Sequence, residues 1–230
     1  PAKSPHRRIP AVLFRAEKQV MAAFLRAVFE GDGTITSSRK VVQLGCSSTS
    51  EKLIEDLQVV LLRFGLDSFK RFDRPRHIHT LHTRGVPNYK RFRDEIGFVS
   101  VRKQKKLDEV IEHFRVPSSK TDFVPYLADA VRAKIHSWDV GGTFVRKQNF
   151  DRYPTLSEKY TQVANALREE TAVEYEPYLA WLSENRYLFE RVEKIVDAGT
   201  QPVFSIRVAS TCHSFVANGF INHNTEAKLA

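Results

Sequence analysis

The chain has 230 residues, 42% of them hydrophobic, and a formal net charge of +9 at pH 7, which is enough material for one large or two small domains with hydrophobic cores. No apolar run reaches membrane-spanning length, and the N-terminal residues lack the apolar core of a signal peptide, so the sequence predicts a soluble cytoplasmic protein without a membrane partner. The two cysteines, Cys46 and Cys212, form neither a CxxC motif nor a disulfide framework, which fits a reducing compartment.

The positive charge is concentrated in the first half of the chain. Residues 1–114 hold 22 Lys or Arg against 13 Asp or Glu, whereas residues 115–230 hold 14 of each. A basic region rich in arginine predicts binding to a phosphate backbone. The alternative is a basic surface that serves only solubility.

The first half predicts an α+β unit with a four-stranded antiparallel sheet, in the order αββαββα. Glycines end the first two helices, at Gly31 and Gly65, and the two hairpin turns lie at 37–39 and 73–76. A serine stands at the start of the second helix as an N-cap. The predicted elements are a helix over 17–30, strands over 34–36 and 40–47, a helix over 50–64, strands over 66–72 and 78–84, and helices over 89–96 and 101–114.

The pattern changes after residue 116, where a Pro-Ser-Ser-Lys stretch marks a boundary. We predict a mainly helical connecting segment over 117–186, with helices that include 160–168 and 178–183. From residue 187 to residue 224, short strands alternate with Gly- and Ser-containing turns. The predicted strands lie over 191–196, 203–208 and 213–221.

The helix before the first strand carries small residues on one face and an acid at its end. Ala23, Ala27 and Gly31 recur every four residues, and Asp32 stands between two glycines. Close packing of two such helices would bring two carboxylates together, where they could share divalent metal ions and stabilise the reacting oxygens of a phosphodiester. The alternative is an Ala-rich core helix that ends in a glycine turn with a solvated aspartate.

Residues 25–33 resemble the LAGLIDADG motif of homing endonucleases, and the resemblance extends over residues 7–114. Arg8-Ile9-Pro10, Ile96-Gly97-Phe98 and Arg102-Lys103 resemble flanking segments of that family. The resemblance implies half of an endonuclease that works with a second LAGLIDADG unit. It also implies that Asp32 and the Gly31 carbonyl bind Mg2+, and that Lys103 positions the water or steadies the scissile phosphate. Arg7 stands where the family often has a lysine.

The two predicted hairpins of this unit are suited to the major groove of double-stranded DNA, which admits a two-stranded β-ribbon. Sequence alone does not separate base contacts from backbone contacts. A metal on His77 and His79 is the alternative for those two histidines. The candidate DNA-binding residues are Arg7, Arg39, Lys40, Gln43, Lys70, Arg71, Arg74, Arg76, His77, His79, His82 and Arg84.

The residues His223-Asn224-Thr225, near the end of the chain, indicate a reaction that cleaves the backbone. An asparagine side-chain nitrogen can attack its own main-chain carbonyl, closing a succinimide and cutting the chain, because intramolecular geometry gives a large effective molarity. Asn218-Gly219 predicts a turn between two apolar runs, and His213 and His223 are candidates to donate protons. The alternative is a surface β-hairpin with an incidental His-Asn pair.

This stretch, with the strand predicted over 202–208, resembles the C-terminal splice junction of inteins. The resemblance implies a Hint-type all-β splicing domain in which Asn224 cyclises, His223 and His213 assist, and no cofactor is needed. Thr225 would be the first host residue and the acceptor in transesterification. Residues 225–230, the host remnant, resemble the active-site region of the A subunit of DNA gyrase or topoisomerase IV.

Three hypotheses remain open. The first is the C-terminal part of an intein with an endonuclease unit. Such a protein would combine protein splicing with DNA cleavage. Its partners would be the N-terminal intein portion, the flanking host protein and double-stranded DNA. The second is a non-catalytic DNA-binding protein on the same scaffold. The third is a hedgehog-type autoprocessing domain, against which the His223-Asn224 pair argues. The sequence shows no N-terminal splicing nucleophile and no first endonuclease motif, so we expect a fragment of a longer precursor.

Overall fold

The structure is a computed structural model that describes residues 4–37, 42–83, 85–113, 124–127, 151, 175–185, 187–202, 206–209 and 211–223. The chain divides into two compact units. One comprises Pro1–Val116 with Ile195–Ala230, and the other comprises Pro117–Lys194. A search of these residues finds no helix that is long and apolar enough to cross a membrane.

The predicted α+β class with an antiparallel sheet is confirmed in the first unit. The helices predicted over 89–96 and 101–114 are both present there. In the second unit, the helix predicted over 178–183 is confirmed as part of a longer one, and the helix predicted over 160–168 lies outside the described residues. The elements are α1 (Lys18–Asp32), β1 (Gly33–Ser37), β2 (Val42–Ser48), α2 (Glu51–Leu62), β3 (Phe69–Asp73), β4 (Ile78–Thr83), α3 (Val86–Glu95), α4 (Val101–His113), α5 (Tyr175–Asn185), β5 (Ser214–Ala217) and β6 (Phe220–His223).

Helix α1 runs two residues beyond its predicted end, and Gly33 fixes where it stops. The backbone turns to an extended conformation at Gly33, with φ −85° and ψ 149°. A Cβ at this position would lie 2.4 Å from the carbonyl oxygen of Phe29, so only glycine allows this close passage from helix to strand. Asp32 is therefore the last helical residue.

The four strands are antiparallel in the order β1-β2-β4-β3. Successive side chains of a strand point to opposite faces, so this register sorts the residues into a helix-side face and an open face. The helix-side face buries Ile35, Leu44, Cys46 and Leu81. The open face carries Thr34, Thr36, Gln43, Gly45, Ser47, Phe69, Arg71, Ile78, Thr80 and His82.

The core lies between the helix-side face of the sheet and the helices. Leu25 and Phe29 of α1 are buried there together with Leu57 of α2. Fully burying a side chain of this size contributes about 1.5–3 kcal/mol relative to leaving it exposed. The ring of Phe29 also meets Phe92 of α3 edge to face, with centroids 4.9 Å apart. The apolar face of α1 is thus held by both the sheet and α3.

A strap formed by residues 7–9 is anchored on α2. The buried carboxylate of Asp56 accepts hydrogen bonds from Arg8 Nε at 3.2 Å, Arg8 Nη2 at 3.0 Å and the Ile9 amide at 3.1 Å. Asp56 also raises the pKa of the Arg8 guanidinium through these contacts. Ser50, the predicted N-cap of α2, accepts from the Leu53 amide and donates from its hydroxyl to the Arg7 carbonyl at 2.6 Å. The strap therefore has a fixed position.

The C-terminal region forms fewer strands than predicted. Residues 191–196 and 206–208 carry no strand, so the prediction there is wrong, and residues 203–205 lie outside the described part of the chain. Val192, Ile195, Val196 and Ile206 are exposed, because this segment has no sheet among the described residues on which to pack. Among the described residues of this region, strands form only in the hairpin over 214–223, and the predicted Hint-type strands are not confirmed.

The prediction of a single strand over 213–221 is wrong, because the predicted turn at Asn218-Gly219 divides this stretch into a hairpin. Strands β5 and β6 pair antiparallel, and the turn between them has positive φ at Asn218 (51°) and Gly219 (85°). These are the signs of a type I′ turn, for which Asn-Gly is the preferred sequence. A Cβ on Gly219 would lie 2.7 Å from Leu62 Cδ1 of α2, so the turn rests against the first unit's own helix.

We predict that Asp56→Ala lowers the free energy of unfolding by about 1–3 kcal/mol, because it leaves the Ile9 amide and the Arg8 guanidinium without their acceptor. Urea unfolding measures the change. Asp94→Ala is the matched control, since the exposed ion pair of Asp94 with its neighbour Arg93 adds little to stability and its loss should not shift the midpoint. Equal midpoints for the two variants would show that the strap is not anchored by Asp56.

Candidate functional sites

The structure brings Asp32 and Arg7 together. The Arg7 Nη1 and Asp32 Oδ2 atoms are 3.5 Å apart, and both side chains are half-exposed. An exposed pair of this kind adds little to stability. Its importance is chemical, because the anchored strap holds a permanent positive charge beside a carboxylate that faces solvent.

Lys103, the other predicted catalytic residue of this site, contacts the backbone around Asp32. Its ammonium donates to the carbonyl oxygens of Phe29 at 3.2 Å and Gly33 at 2.9 Å, and to that of Glu30. A lysine has three protons to donate, so these contacts use all of them. No ion pair joins Lys103 to Asp32 in the portion of the chain that the structure describes. Lys103 therefore caps the C-terminal end of α1.

Glu30 is a residue of this site that the sequence reasoning missed. Its Oε2 atom accepts from the amides of Val99 at 2.9 Å and Ser100 at 3.1 Å, immediately before α4. The bonds from Ser100, its amide first, lower the pKa of the Glu30 carboxyl, with a smaller contribution from Lys103. An acid in the last turn of a helix opposes the helix dipole, and that mismatch is the sequence signal that could have identified it.

The half-exposed carboxylate of Asp32 is the kind of ligand that a magnesium site uses. Mg2+ commonly takes one or two protein carboxylates and completes its shell with water and substrate phosphates. Within the described ranges, no three His, Cys, Asp or Glu side chains lie close enough to hold a metal ion. Asp32 thus supplies one carboxylate, and a second must come from outside this set of residues if two are used.

The small-residue face of α1 is directed away from the core of its own unit. Ala23, Ala27 and Gly31 are exposed, as is Val20, which lies on the same side of the helix. A Cβ added to Gly31 would meet nothing within 4 Å. The burial of Ala23 and Ala27 that the alternative of an Ala-rich core helix implies is therefore wrong, although α1 does end at a glycine with a half-exposed Asp32. These small residues are not required by packing within the described unit.

The predicted DNA-binding residues fall on different surfaces. Gln43, Arg71 and His82 lie on the open face of the sheet. Lys70 and His79 belong to the helix-side face, where Lys70 is 3.3 Å from Glu55 and His79 stacks on Phe72 with centroids 4.6 Å apart. Arg74, Arg76 and His77 are exposed in the β3–β4 turn, and Arg39, Lys40 and Arg84 lie outside the described residues.

The metal alternative for His77 and His79 is not supported by their placement. His77 precedes β4 and has a positive φ of 50°, so it does not share a strand face with His79. No third ligand accompanies them among the residues that the structure describes.

The C-terminal hairpin brings the two predicted histidines together. His223 pairs with Ser214 at the open end of the hairpin, and the ring centroids of His213 and His223 are 6.4 Å apart. Two imidazoles are thus available where the chain leaves β6. Asn224 and Thr225, the predicted nucleophile and acceptor, lie outside the described residues.

Cys46 is buried on β2 opposite Gly33, close to the Asp32 site. Burial raises the pKa of the Cys46 thiol to about 12, and the nearby Asp32 carboxylate adds to the effect. The thiol is therefore neutral at physiological pH and is a poor nucleophile.

We predict that a disulfide reagent such as Ellman's reagent modifies only Cys212 in the folded protein, because Cys212 is exposed and Cys46 is not. Cys212→Ser should remove the fast reaction, whereas Cys46→Ser should leave it unchanged. Addition of urea should release the second thiol of the wild-type chain. Two fast-reacting thiols in the folded protein would contradict the buried position of Cys46.

Comparison with known proteins finds a LAGLIDADG-like domain over residues 19–97. The chain is 33% identical over 230 residues to the A subunit of a DNA gyrase from Mycolicibacterium flavescens, with 99% of this chain and 41% of that protein covered. It is 26% identical to a glutamine–fructose-6-phosphate aminotransferase from Methanocaldococcus jannaschii (97% and 20% covered). It is 27% identical to an elongation factor 2 from Methanopyrus kandleri (97% and 17% covered). The chain thus spans less than half the length of each of these relatives, and no solved structure matches it.

Proposed function

The chain belongs to the inteins that carry a LAGLIDADG-like domain, and we propose that it combines one unit of a DNA endonuclease with the C-terminal part of a protein-splicing element. One observation carries the proposal. Nearly the whole of this chain matches a minor part of a gyrase, of an aminotransferase and of an elongation factor. A segment shared by proteins with such different names is best explained as an insertion. We take the A subunit of DNA gyrase as the host, in keeping with residues 225–230.

The proposed endonuclease centre is built on Asp32. Bound Mg2+ would supply Lewis-acid stabilisation of the phosphodiester oxygens. Asp32 and the Gly31 carbonyl would hold the ion, and the Arg7 guanidinium, 3.5 Å from Asp32, is placed to bind the scissile phosphate. Arg7 stays charged at all relevant pH values, so it can clamp a phosphate but cannot relay a proton.

A second LAGLIDADG unit is the proposed partner of α1. Two helices that meet through small residues approach closely, and the exposed stripe of Val20, Ala23, Ala27 and Gly31 offers such a contact. Because Asp32 is the residue that follows this stripe, the same contact would bring two carboxylates to the DNA. This arrangement accounts for both the exposed alanines and the single carboxylate of the site.

Double-stranded DNA is the proposed substrate of the open face. A twisted antiparallel sheet with polar side chains fits the major groove, where Gln43 and Arg71 can read base edges or bind phosphates. The open face is free of α1 and α2, which cover the opposite face.

We predict that Arg71→Ala weakens binding to double-stranded DNA and reduces the salt dependence by about one released counterion. Lys70→Ala is the matched control, because the neighbouring Lys70 lies on the other face and is paired with Glu55. Gel retardation at salt concentrations from low to physiological measures the DNA affinity of each variant and its salt dependence. Equal losses for the two variants would contradict the open face as the binding surface.

The splicing part is proposed to act at Asn224. The Asn224 side-chain nitrogen attacks the Asn224 carbonyl carbon, the bond to Thr225 breaks, and the leaving amine takes a proton. His213 and His223, whose ring centroids lie 6.4 Å apart in an edge-to-face arrangement at the end of the hairpin, are the proposed proton donors. The exposed apolar residues Val192, Ile195 and Val196 would pair with strands of the N-terminal intein portion.

We predict an Asn224-dependent loss of residues 225–230 when the purified chain is incubated, with the product detected by mass spectrometry. Asn224→Ala should abolish this loss, and His223→Ala should slow it by roughly the 10²–10⁴-fold typical of general acid–base catalysis. Release of the same peptide by Asn224→Ala would assign the cleavage to a contaminating protease and contradict the proposed site.

DNA binding without cleavage is the second candidate function, and Arg7 is the observation that favours it. A guanidinium beside Asp32 partly neutralises the carboxylate and replaces the lysine that the family often has at this position. Linearisation of DNA by the wild-type protein with Mg2+, but not by Asp32→Asn, would exclude this candidate.

A further inference from the structure

We propose that Glu30 and Lys103 form a reciprocal cap between α1 and α4, and that Glu30 is a positioning residue for Asp32. The inference deepens the proposed endonuclease function and depends on it for the role of Asp32. It assigns a role to Glu30. It also gives Lys103 a different role from the one that the sequence predicts, because Lys103 controls the backbone that carries Asp32 and does not contact the water or the phosphate.

Each of the two side chains stands at the wrong end of its own helix. Glu30 is an acid in the last turn of α1, and Lys103 is a base in the first turn of α4. In isolation, both charges would oppose the dipole of the helix that carries them. Two such mismatches at facing helix ends indicate that the charges act on the neighbouring helix.

The hydrogen bonds show this exchange. Glu30 Oε2 accepts from the Val99 and Ser100 amides, which precede α4 and would otherwise lack a helical acceptor. Lys103 donates to the carbonyls of Phe29, Glu30 and Gly33, which end α1. Each helix thus supplies the charge that the other needs at its end.

The cap acts directly on the turn that contains the proposed metal ligands. The carbonyls that Lys103 binds lie on both sides of Gly31 and Asp32 in the chain. Gly31 has no side chain, and the space beside it is open, so packing does not fix this turn. The Lys103 bonds therefore act together with Gly33, which ends the helix, to hold the Gly31 carbonyl and the Asp32 carboxylate in place.

Further contacts keep α4 and its preceding loop in place against α1. The Arg26 Nε atom donates to the Ile96 carbonyl, and the Phe98 amide donates to Gln104 Oε1 at 3.0 Å. The rings of Phe92 and Phe98 have centroids 5.2 Å apart, and Lys103 Nζ lies 5.5 Å from the centre of the Phe98 ring. A change at Glu30 would therefore loosen the cap without separating the two helices.

Residue-resolved amide hydrogen exchange tests the cap on the whole chain. In Glu30→Ala, we expect exchange about tenfold faster at the Gly33 and Ser100 amides and no change in β4, since about 1.4 kcal/mol of local stability corresponds to a factor of ten. Glu30→Gln keeps an acceptor and should recover part of the protection. Glu95→Ala is the control, because Glu95 pairs with Lys18 elsewhere on α1. Unchanged exchange at Gly33 in Glu30→Ala would overturn the proposal.

Binding of Mn2+ alone, followed by electron paramagnetic resonance, tests the positioning role. Residues behind the ligands of a metal typically change its affinity by about 10–100-fold, so Glu30→Ala should weaken Mn2+ binding by at least about tenfold, Glu30→Gln by less, and Glu95→Ala not at all. Wild-type affinity in Glu30→Ala would overturn the positioning role. These measurements use the chain in its full-length precursor, where the second unit is present; a wild-type precursor that binds no Mn2+ would contradict the proposed metal site instead, and the exchange at Gly33 would still decide whether the cap exists.

Discussion

Helix α1 must bury one face, leave the opposite face exposed, and end at a defined residue. Its buried face, with Met21, Leu25 and Phe29, holds the helix on the sheet. Its end is set by Gly33, which alone allows the backbone to pass close to the Phe29 carbonyl. Once these two conditions are met, the alanine stripe faces outward and Asp32 is placed at the beginning of the sheet. These two conditions place Asp32, and the other residues of the site come to it from other elements.

The residues around Asp32 reach it from distant parts of the chain. Arg7 is held by a strap whose anchor is the buried Asp56 on α2, and Lys103 reaches it from α4. The hydrogen bonds that hold the strap and Lys103 are partly or fully buried, so neither group has to be brought into position from solvent. This arrangement limits the conformational entropy that is lost when a phosphate or a metal ion binds.

Local sequence chemistry predicted part of this structure and could not predict the rest. The serine cap of α2 and the Asn218-Gly219 turn depend on adjacent residues, so they could be read directly. The contacts of Lys103 join residues about 70 positions apart, and no local pattern encodes them. Lys70 and Arg71 look equivalent in the sequence, but the strand register puts them on opposite faces. The strand predicted over 191–196 did not form, because its apolar residues Val192, Ile195 and Val196 indicate only a capacity to pair.

The central claim is that the exposed face of α1 completes the endonuclease site through a second LAGLIDADG unit. It is tested by Mg2+-dependent linearisation of a plasmid that carries the uninterrupted host sequence, with the chain in its full-length precursor. The account predicts that Ala27→Arg reduces linearisation to the level of Asp32→Asn while the urea midpoint of the chain by itself stays unchanged, because Ala27 is exposed there and only a helix packed against it in the precursor would be displaced. Linearisation by Ala27→Arg at the wild-type rate would contradict the claim.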